Sequence, residues 1–434
     1  MIFGFNNKVI QRINSTIIKY KTVIYNLSYL SLFQILLIVL PLIIYPYLLR
    51  VLGADLYGLI IFAQAITLYF SMLINFGFNI TATKDIAENV GDLNKLSGIV
   101  SSVLIIKFFL WIFSLLILVV LLYFSVLEGD WRLYIFTYLI TFNEFLFPQW
   151  FFQGIEKMKY ITIINLIIKT FFTILIFLLV KNKQDYLYVP LLNGIGALFG
   201  GLIAMYVIIY KKKVKFIKQE YYLIKSQFKS SLVIFVSVAS KQIYVNANKI
   251  IIGTLLGMNY TAFYDLGEKV LRVLKIPAAM FTQATFPLLA KEKNIKLINK
   301  TMFIASGVTL ILVILVLIFS DQIIQLIGDR EMVEAKYAMR VLSVAAIIVA
   351  FNQFLGTSRL IVFGYNKLFT KIISSTTIFY CTGAFLLYWL NFVSLKSMSW
   401  LAVFVELWVF FLMIYSNHKK NLLGFNFKNK SNCI

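Results

Sequence analysis

The chain has 434 residues, of which 61% are hydrophobic and only 14% are charged, and its mean hydropathy is +0.86. Because soluble domains carry roughly 25% charged residues, this composition excludes a soluble fold. The formal net charge is +23, and most of it lies in the loops between apolar runs.

Apolar runs of 18 or more residues recur from residue 26 nearly to the end, and each could cross ~30 Å of hydrocarbon as a helix. The alternating segments of a transmembrane barrel do not occur. The first run is too long for the apolar core of a signal peptide, so we expect it to be retained. The sequence therefore predicts an all-α polytopic membrane protein of about twelve transmembrane helices. The predicted spans are 26–50, 57–80, 98–123, 132–155, 160–180, 187–210, 230–256, 261–288, 300–320, 336–361, 368–391 and 397–417.

The loop charges predict the orientation of these spans. Alternate loops on one side of the membrane sum to +19, and those on the other side sum to −1. Positive loops mark the cytoplasmic side, so both termini are expected there. The topology thus accounts for most of the net charge without a nucleic-acid partner.

Two short sequence echoes divide the chain into halves. Residues 52–57 (LGADLY) resemble 256–261 (LGMNYT), and residues 152–157 (FQGIEK) resemble 362–367 (VFGYNK). The predicted domains are an N-terminal six-helix bundle (1–210), a basic cytoplasmic linker (211–229) and a C-terminal six-helix bundle with a cytoplasmic tail (230–434). Because six is even, the two bundles are expected to be related by a pseudo-two-fold axis along the membrane normal, with substrate between them.

Polar side chains lie on one helical face in three of the predicted spans. The second span has a neutral stripe: Tyr57, Gln64, Thr67, Ser71, Asn75 and Asn79. The eighth span has a charged stripe: Asp265, Glu268, Lys269, Arg272, Lys275 and Gln283. The seventh span has Ser237, Ser240, Lys241, Tyr244 and Asn248. Lys249 lies off this last face, and we expect it to snorkel to the interface.

These stripes favour a water-filled cavity, because contacts between helices repay only about 0.6 kcal/mol each and would not offset several buried charges. The spans contain nine cations and four anions, an excess of +5. Asp265 and Glu268 can pair with Lys269 and Arg272 along their helix. The remaining positive charge predicts an anionic ligand, and phosphate or pyrophosphate suits lysine and arginine donors. Trp150, Tyr244 and Tyr264 are candidates for stacking on sugar rings.

Residues 52–88 (LGADLYGLIIFAQAITLYFSMLINFGFNITATKDIAE) and 148–169 (PQWFFQGIEKMKYITIINLIIK) resemble O-antigen flippases of the Wzx type. The resemblance implies the multidrug/oligosaccharidyl-lipid/polysaccharide exporter superfamily and alternating access between two bundles. It implies movement of undecaprenyl-pyrophosphate-linked oligosaccharide from the cytoplasmic to the periplasmic leaflet of the bacterial inner membrane. It also implies cationic substrate-binding residues in the seventh and eighth spans, here Lys241, Lys269, Arg272 and Lys275.

In this interpretation pyrophosphate lies against Lys241, Arg272 and Lys275. The sugars lie against Gln64, Ser71, Asn75 and Asn79. Asp265, Glu268 and Glu144 are candidates for a proton or sodium site, although structural ion pairing is the favoured interpretation. We also expect contact with the polysaccharide polymerase and the chain-length machinery.

No cofactor is expected. The chain lacks the GxxxxGK[ST] motif for ATP, and His418, Cys381 and Cys433 form no metal-ligand pattern. The alternatives are an exporter of another anionic glycan or metabolite from the same superfamily, and a membrane-embedded polymerase or transferase. The sugar composition of the substrate, the coupling ion and the oligomeric state are not encoded in any recognised motif.

Overall fold

The computed structural model describes residues 7–127, 129–327 and 330–423, and the regular structure of these ranges is helical throughout. Within them, eight helical segments are long and apolar enough to cross a membrane. The prediction of an all-α polytopic membrane protein is therefore confirmed. The α-helices are α1 (Asn7–Asn75), α2 (Phe78–Glu88), α3 (Leu93–Tyr123), α4 (Trp131–Tyr138), α5 (Phe142–Leu146), α6 (Gln149–Gly154), α7 (Met158–Leu179), α8 (Tyr188–Tyr206), α9 (Tyr221–Leu255), α10 (Met258–Leu274), α11 (Ile276–Glu292), α12 (Ile295–Ile318), α13 (Ser320–Ile327), α14 (Ala335–Gln353), α15 (Asn366–Trp389) and α16 (Leu395–Lys419).

Short irregular helices connect or extend several of these elements. They are the 3₁₀ turns Leu139–Thr141, Lys183–Leu187 and Arg330–Glu334 and the π-helical segments Val207–Lys211 and Phe354–Ile361. The second π-helical segment directly continues α14 and carries Arg359.

The eight apolar helices are fewer than the twelve predicted spans for identifiable reasons. Predicted span 26–50 and most of span 57–80 fall within α1, and nearly all of 230–256 falls within the lysine-bearing α9. Span 132–155 is divided among α4, α5 and α6, and 261–288 is divided between α10 and α11. Proline contributes to both divisions, because it lacks an N–H donor and is tolerated only in a first helical turn. Pro148 precedes α6 and Pro277 stands in the first turn of α11.

Helix α1 bends at Gly53, which has φ 78° and ψ 171°. Only glycine adopts this conformation without strain. A second break follows at Phe76 and Gly77, both with positive φ, and it separates α1 from α2. Asn79 therefore lies on a different helix from Gln64, Ser71 and Asn75, and the prediction of one uninterrupted polar face over 57–80 is wrong.

The chain forms two compact units that are not continuous in sequence. Unit 1 contains residues up to Ile44 and Thr67–Phe235, and unit 2 contains Tyr45–Ile66 and the residues from Val236 onward. The predicted domain organisation, with boundaries at 210 and 230, stays a prediction.

The core of unit 1 is built by the segment that carries the family resemblance. Trp150, Phe151 and Phe152 of α6 are at most 1% exposed and pack among apolar residues of α2, α3 and α7. A Cβ on Gly154 would lie 2.5 Å from the Ile86 side chain, so this glycine permits α2 and α6 to approach closely. Trp150 is fully buried, and its prediction as a sugar-stacking residue is wrong.

The basic stretch 211–229 is held on unit 1 by two buried serines. Ser97 and Ser101 of α3 accept hydrogen bonds from the backbone N–H groups of Lys215 (3.0 Å) and Ile217 (2.9 Å). These hydroxyls supply partners for backbone groups that no helix satisfies.

In unit 2, α14 packs against α10, α12 and α16. Its buried face is rich in alanine (Ala335, Ala338, Ala345, Ala346 and Ala350). Small side chains let helix backbones come close, which is the usual packing mode inside membranes.

Candidate functional site

Four charged side chains of unit 2 form one buried group, which we name the ionic cluster: Lys249, Asp265, Glu268 and Lys269. Lys249 lies on α9, and the other three lie on α10. The side chains of Lys249, Asp265 and Lys269 are less than 10% exposed, and that of Glu268 is 15% exposed.

Lys249 bridges the two carboxylates of the ionic cluster. Its Nζ is 3.2 Å from Asp265 Oδ1 and 2.7 Å from Glu268 Oε2. The predicted snorkelling of Lys249 is wrong, because two carboxylates hold its ammonium inside the protein. The predicted pairing of Asp265 with Lys269 and Arg272 is confirmed, whereas Glu268 pairs with Lys249 on the neighbouring helix.

Two tyrosines from the segment Tyr45–Ile66 complete the surroundings of Lys269. The Lys269 ammonium contacts Asp265 Oδ2 and donates to the Tyr57 hydroxyl, which in turn lies 3.3 Å from Asp265 Oδ2. It also lies 4.0 Å from the ring centroid of Tyr45, a cation–π contact. The neutral stripe of the second predicted span includes Tyr57. It does not include Tyr45, because Tyr45 lies in the first predicted span and no local sequence pattern relates it to Lys269.

The ionic cluster is internally balanced, because two lysines face two carboxylates. Arg272 is the additional cation. Its Nη2 is 3.8 Å from Asp265 Oδ1, and its side chain is 56% exposed. Lys275, at the end of α10, is half-buried. Positive charge available to a ligand therefore lies at the C-terminal end of α10 rather than along the whole helix.

Four residues of the neutral stripe are partly buried, whereas Tyr57 and Thr67 are buried. Gln64 belongs to unit 2, whereas Ser71, Asn75 and Asn79 belong to unit 1. Asn75 Nδ2 donates to Glu144 Oε2 at 2.7 Å. Glu144, a candidate for ion coupling, is thus engaged by a stripe residue.

Fewer of the cations in the predicted spans are accessible to a ligand than the predicted excess of positive charge implies. Lys107 and Arg359 are 1% exposed. The Lys107 ammonium donates to the Glu144 backbone carbonyl at 2.7 Å, and Arg359 donates to the Asn299 side chain. The side chain of Lys241 lies outside the described part of the structure, as does that of Ser237. The exposed in-span cations among the described side chains are Lys169, Arg272 and Arg340.

Two aromatic candidates have different outcomes. Tyr264 is 2% exposed, and its hydroxyl accepts a hydrogen bond from Asn248 Nδ2 at 2.6 Å. Asn248 Oδ1 in turn accepts from the Tyr380 hydroxyl at 2.6 Å. Tyr264 is therefore a core residue that links α9, α10 and α15, and the prediction that it stacks on sugar rings is wrong. Tyr244 is partly exposed, and its stacking role stays a prediction.

Within the described residues, no group of three or more His, Cys, Asp or Glu side chains could hold a metal ion. The described side chains of the candidate site can form ion pairs and hydrogen bonds, and the exposed cations are the donors that a ligand could use.

A family model described as "Polysaccharide biosynthesis protein" matches residues 23–293, which include α10 and the ionic cluster. The chain belongs to this family. A relative in Escherichia coli (strain K12), named "Putative O-antigen transporter", is 23% identical over 80% of this chain and 86% of its own length. A protein of the same name in Shigella dysenteriae is 27% identical over 60% of this chain and 65% of its own length.

The fold of this chain is similar to those of membrane transporters of known structure. An inward-facing multidrug resistance MATE family transporter of the MOP superfamily matches with a TM-score of 0.67, at 14% identity over 92% of this chain and 99% of that one. The lipid II flippase MurJ, in an inward closed conformation, matches with a TM-score of 0.69, at 13% identity over 92% and 89%. At these identities the likeness shows the fold alone.

Proposed function

We propose that this chain is a flippase that moves undecaprenyl-pyrophosphate-linked O-antigen repeat units from the cytoplasmic to the periplasmic leaflet of the bacterial inner membrane. It works by alternating access, with twelve helices in two six-helix bundles and both termini in the cytoplasm. The O-antigen transporter relative, aligned over 80% of the chain, supports the substrate class. The fold shared with a lipid flippase supports the mode of transport.

The observation that carries this proposal is the position of Arg272. The ionic cluster neutralises its own charges, so the guanidinium beside it remains available to an anion. Guanidinium groups bind phosphate oxygens through paired, charge-assisted hydrogen bonds. We assign the pyrophosphate to Arg272, Lys275 and Lys241.

The remaining predicted site residues divide into two roles. Lys269 is held by Asp265 and Tyr57, so we assign it to positioning α10 rather than to direct contact with phosphate. Gln64, Ser71, Asn75 and Asn79 are assigned to the sugars. The pairing of Asp265 and Glu268 with lysines supports a structural role for both, and Glu144 remains a candidate for ion coupling.

The test is complementation of a strain that lacks its own O-antigen flippase. Loss of one charge-assisted hydrogen bond costs about 1.5–3 kcal/mol, which corresponds to a roughly 10- to 150-fold loss of affinity. Arg272→Ala is therefore expected to reduce long-chain lipopolysaccharide strongly, and Arg272→Lys is expected to retain part of it.

Arg132→Ala is the matched control. Arg132, in the first turn of α4, is an equally exposed arginine, and it forms an ion pair at 2.7 Å with Asp130, which caps the same helix. Full activity of Arg272→Ala, at wild-type abundance in the membrane, would remove Arg272 from the binding site.

The competing functions are export of another anionic lipid-linked glycan and a membrane-embedded polymerase or transferase reaction. Reconstituted protein given a radiolabelled lipid-linked oligosaccharide separates them. A flippase relocates the labelled lipid unchanged between leaflets, a transferase or polymerase alters it chemically, and an exporter for another glycan leaves it in place. The polysaccharide polymerase and the chain-length machinery are the proposed partners.

A further inference from the structure

Helix α7 carries a polar stripe that the ionic cluster does not involve. Its members are Thr162, Asn165, Lys169 and Thr173, which at 100° per residue fall within an arc of about 80°. Five strongly exposed apolar residues of the same helix fall within a second arc of about 80° (Ile163, Ile167, Phe171, Ile174 and Leu178), and Leu179, the last residue of α7, lies outside this arc. The two arcs are centred on nearly opposite faces of α7.

Lys169 is exposed, yet it lies on the side of α7 away from the apolar surface. Its neighbours on that side, Thr162, Asn165 and Ile176, are all buried. Because Lys169 is exposed although its neighbours on this side of α7 are buried, we infer that its side chain lines an opening on the protein-facing side of the helix.

Snorkelling does not account for Lys169. The residue stands near the middle of α7, about 15 Å from either helix end at 1.5 Å per residue. A lysine side chain is too short to carry its ammonium that far, so its charge remains at the depth of the hydrocarbon.

No carboxylate among the described side chains pairs with Lys169. The chain also has no acidic residue before Asp55, so the first predicted span cannot provide one. An uncompensated cation at this depth is costly and usually marks a pathway for a substrate or an ion.

We propose that Lys169 is an anion-binding residue of unit 1 that binds a phosphate group of the lipid-linked substrate. This inference rests on the proposed flippase function and adds a residue that the proposed function does not assign. A lysine ammonium suits this role as a compact charge with three rotatable donors.

The first experiment tests the placement of the side chain. Cys381 and Cys433 are replaced by serine, and single cysteines are introduced as Lys169→Cys and, on the apolar face, Ile167→Cys. A membrane-impermeant maleimide is expected to modify the first variant and not the second. A Lys169→Cys variant as unreactive as Ile167→Cys overturns the inference.

The second experiment tests the charge by binding, independently of transport. Purified protein is titrated calorimetrically with farnesyl pyrophosphate, farnesol and phosphatidylglycerol. We expect Lys169→Gln to weaken farnesyl pyrophosphate binding about tenfold, with Lys169→Arg close to wild type. Lys183→Gln, an exposed loop lysine, is the control.

Unchanged farnesyl pyrophosphate binding in Lys169→Gln, or none in the wild type, overturns the inference. A loss confined to phosphatidylglycerol also overturns it, because the site would then bind membrane lipid. Failure of the wild-type chain to support lipopolysaccharide synthesis, with Lys169-dependent pyrophosphate binding intact, overturns the O-antigen function but not the site.

Discussion

Lys249 is the residue on which the ionic cluster depends. It is 6% exposed and contacts both Asp265 and Glu268. Removing charges from water is unfavourable in free energy. The attraction between them offsets this desolvation free energy only while every charge has a partner. Removal of one cation would leave Glu268 buried without its lysine.

We predict that Lys249→Met destabilises the protein by about 3–5 kcal/mol, the usual effect of breaking a buried ion pair from one side. The measurement is the midpoint of thermal unfolding in detergent, followed by intrinsic fluorescence. Adding Glu268→Gln to this variant is expected to restore part of the loss, since the unpaired charge is then removed.

Lys183→Met serves as the control for this prediction, because Lys183 is exposed between α7 and α8. Equal midpoints for Lys249→Met and Lys183→Met would show that the ionic cluster does not stabilise the fold.

Arg359 represents a different way of burying a cation. It is 1% exposed, and Asn299 is its partner through Nη2. Its Nε and Nη1 atoms are buried without a hydrogen-bond partner. It lies in a π-helical segment that continues α14, and π-helical segments are rare in proteins.

At the scale of elements, the first sequence echo corresponds to a shared backbone geometry. Gly53 has φ 78° and ψ 171°, and Gly257 has φ 114° and ψ 166°. Each is followed directly by a helical segment. The second echo is looser, because the left-handed residue is Glu156 in one copy and Gly364 in the other.

We predict that Gly53→Ala destabilises the protein by about 1–3 kcal/mol, because a Cβ is strained in this backbone conformation. The thermal unfolding midpoint in detergent is again the measurement. Gly91→Ala is the matched control, since a Cβ there meets nothing within 4 Å. If the two variants unfold at the same temperature, the bend in α1 does not require glycine.

At the scale of the whole molecule, the loop charges determine a testable orientation. Helix α16 ends at Lys419 and is followed by Lys420, whereas Asn391 and Phe392 lie in the connection between α15 and α16. Since positive loops stay in the cytoplasm, these two positions are expected on opposite sides of the membrane.

We predict that green fluorescent protein fused after Lys420 fluoresces and that alkaline phosphatase fused there is inactive. Fusions after Asn391 should behave in the opposite way, because they lack the last span. The measurement is whole-cell fluorescence and phosphatase activity at matched expression. The same reporter active at both positions would contradict the assigned topology.

The sequence by itself determined the class of protein and its family. Run length and hydropathy decide whether a helix crosses a membrane, and both are local properties of the chain. The segment PQWFFQG was recognisable because it is also local, since its residues are consecutive in the sequence. Its three aromatic residues pack together in the core of unit 1. Asp265 and Lys269 were paired correctly, since they are four residues apart on one helix.

Only the tertiary structure decided which of the charged residues are free. Lys249 reaches Glu268 from another helix, and Tyr57 reaches Lys269 across 212 residues of sequence, so no periodicity could show that these groups neutralise one another. Lys169 was counted in the sequence as one in-span cation among nine, and only the structure shows that it lies opposite the apolar surface of α7 and pairs with no carboxylate among the described side chains. Charge is carried by single residues, but its availability to a ligand depends on the whole three-dimensional neighbourhood.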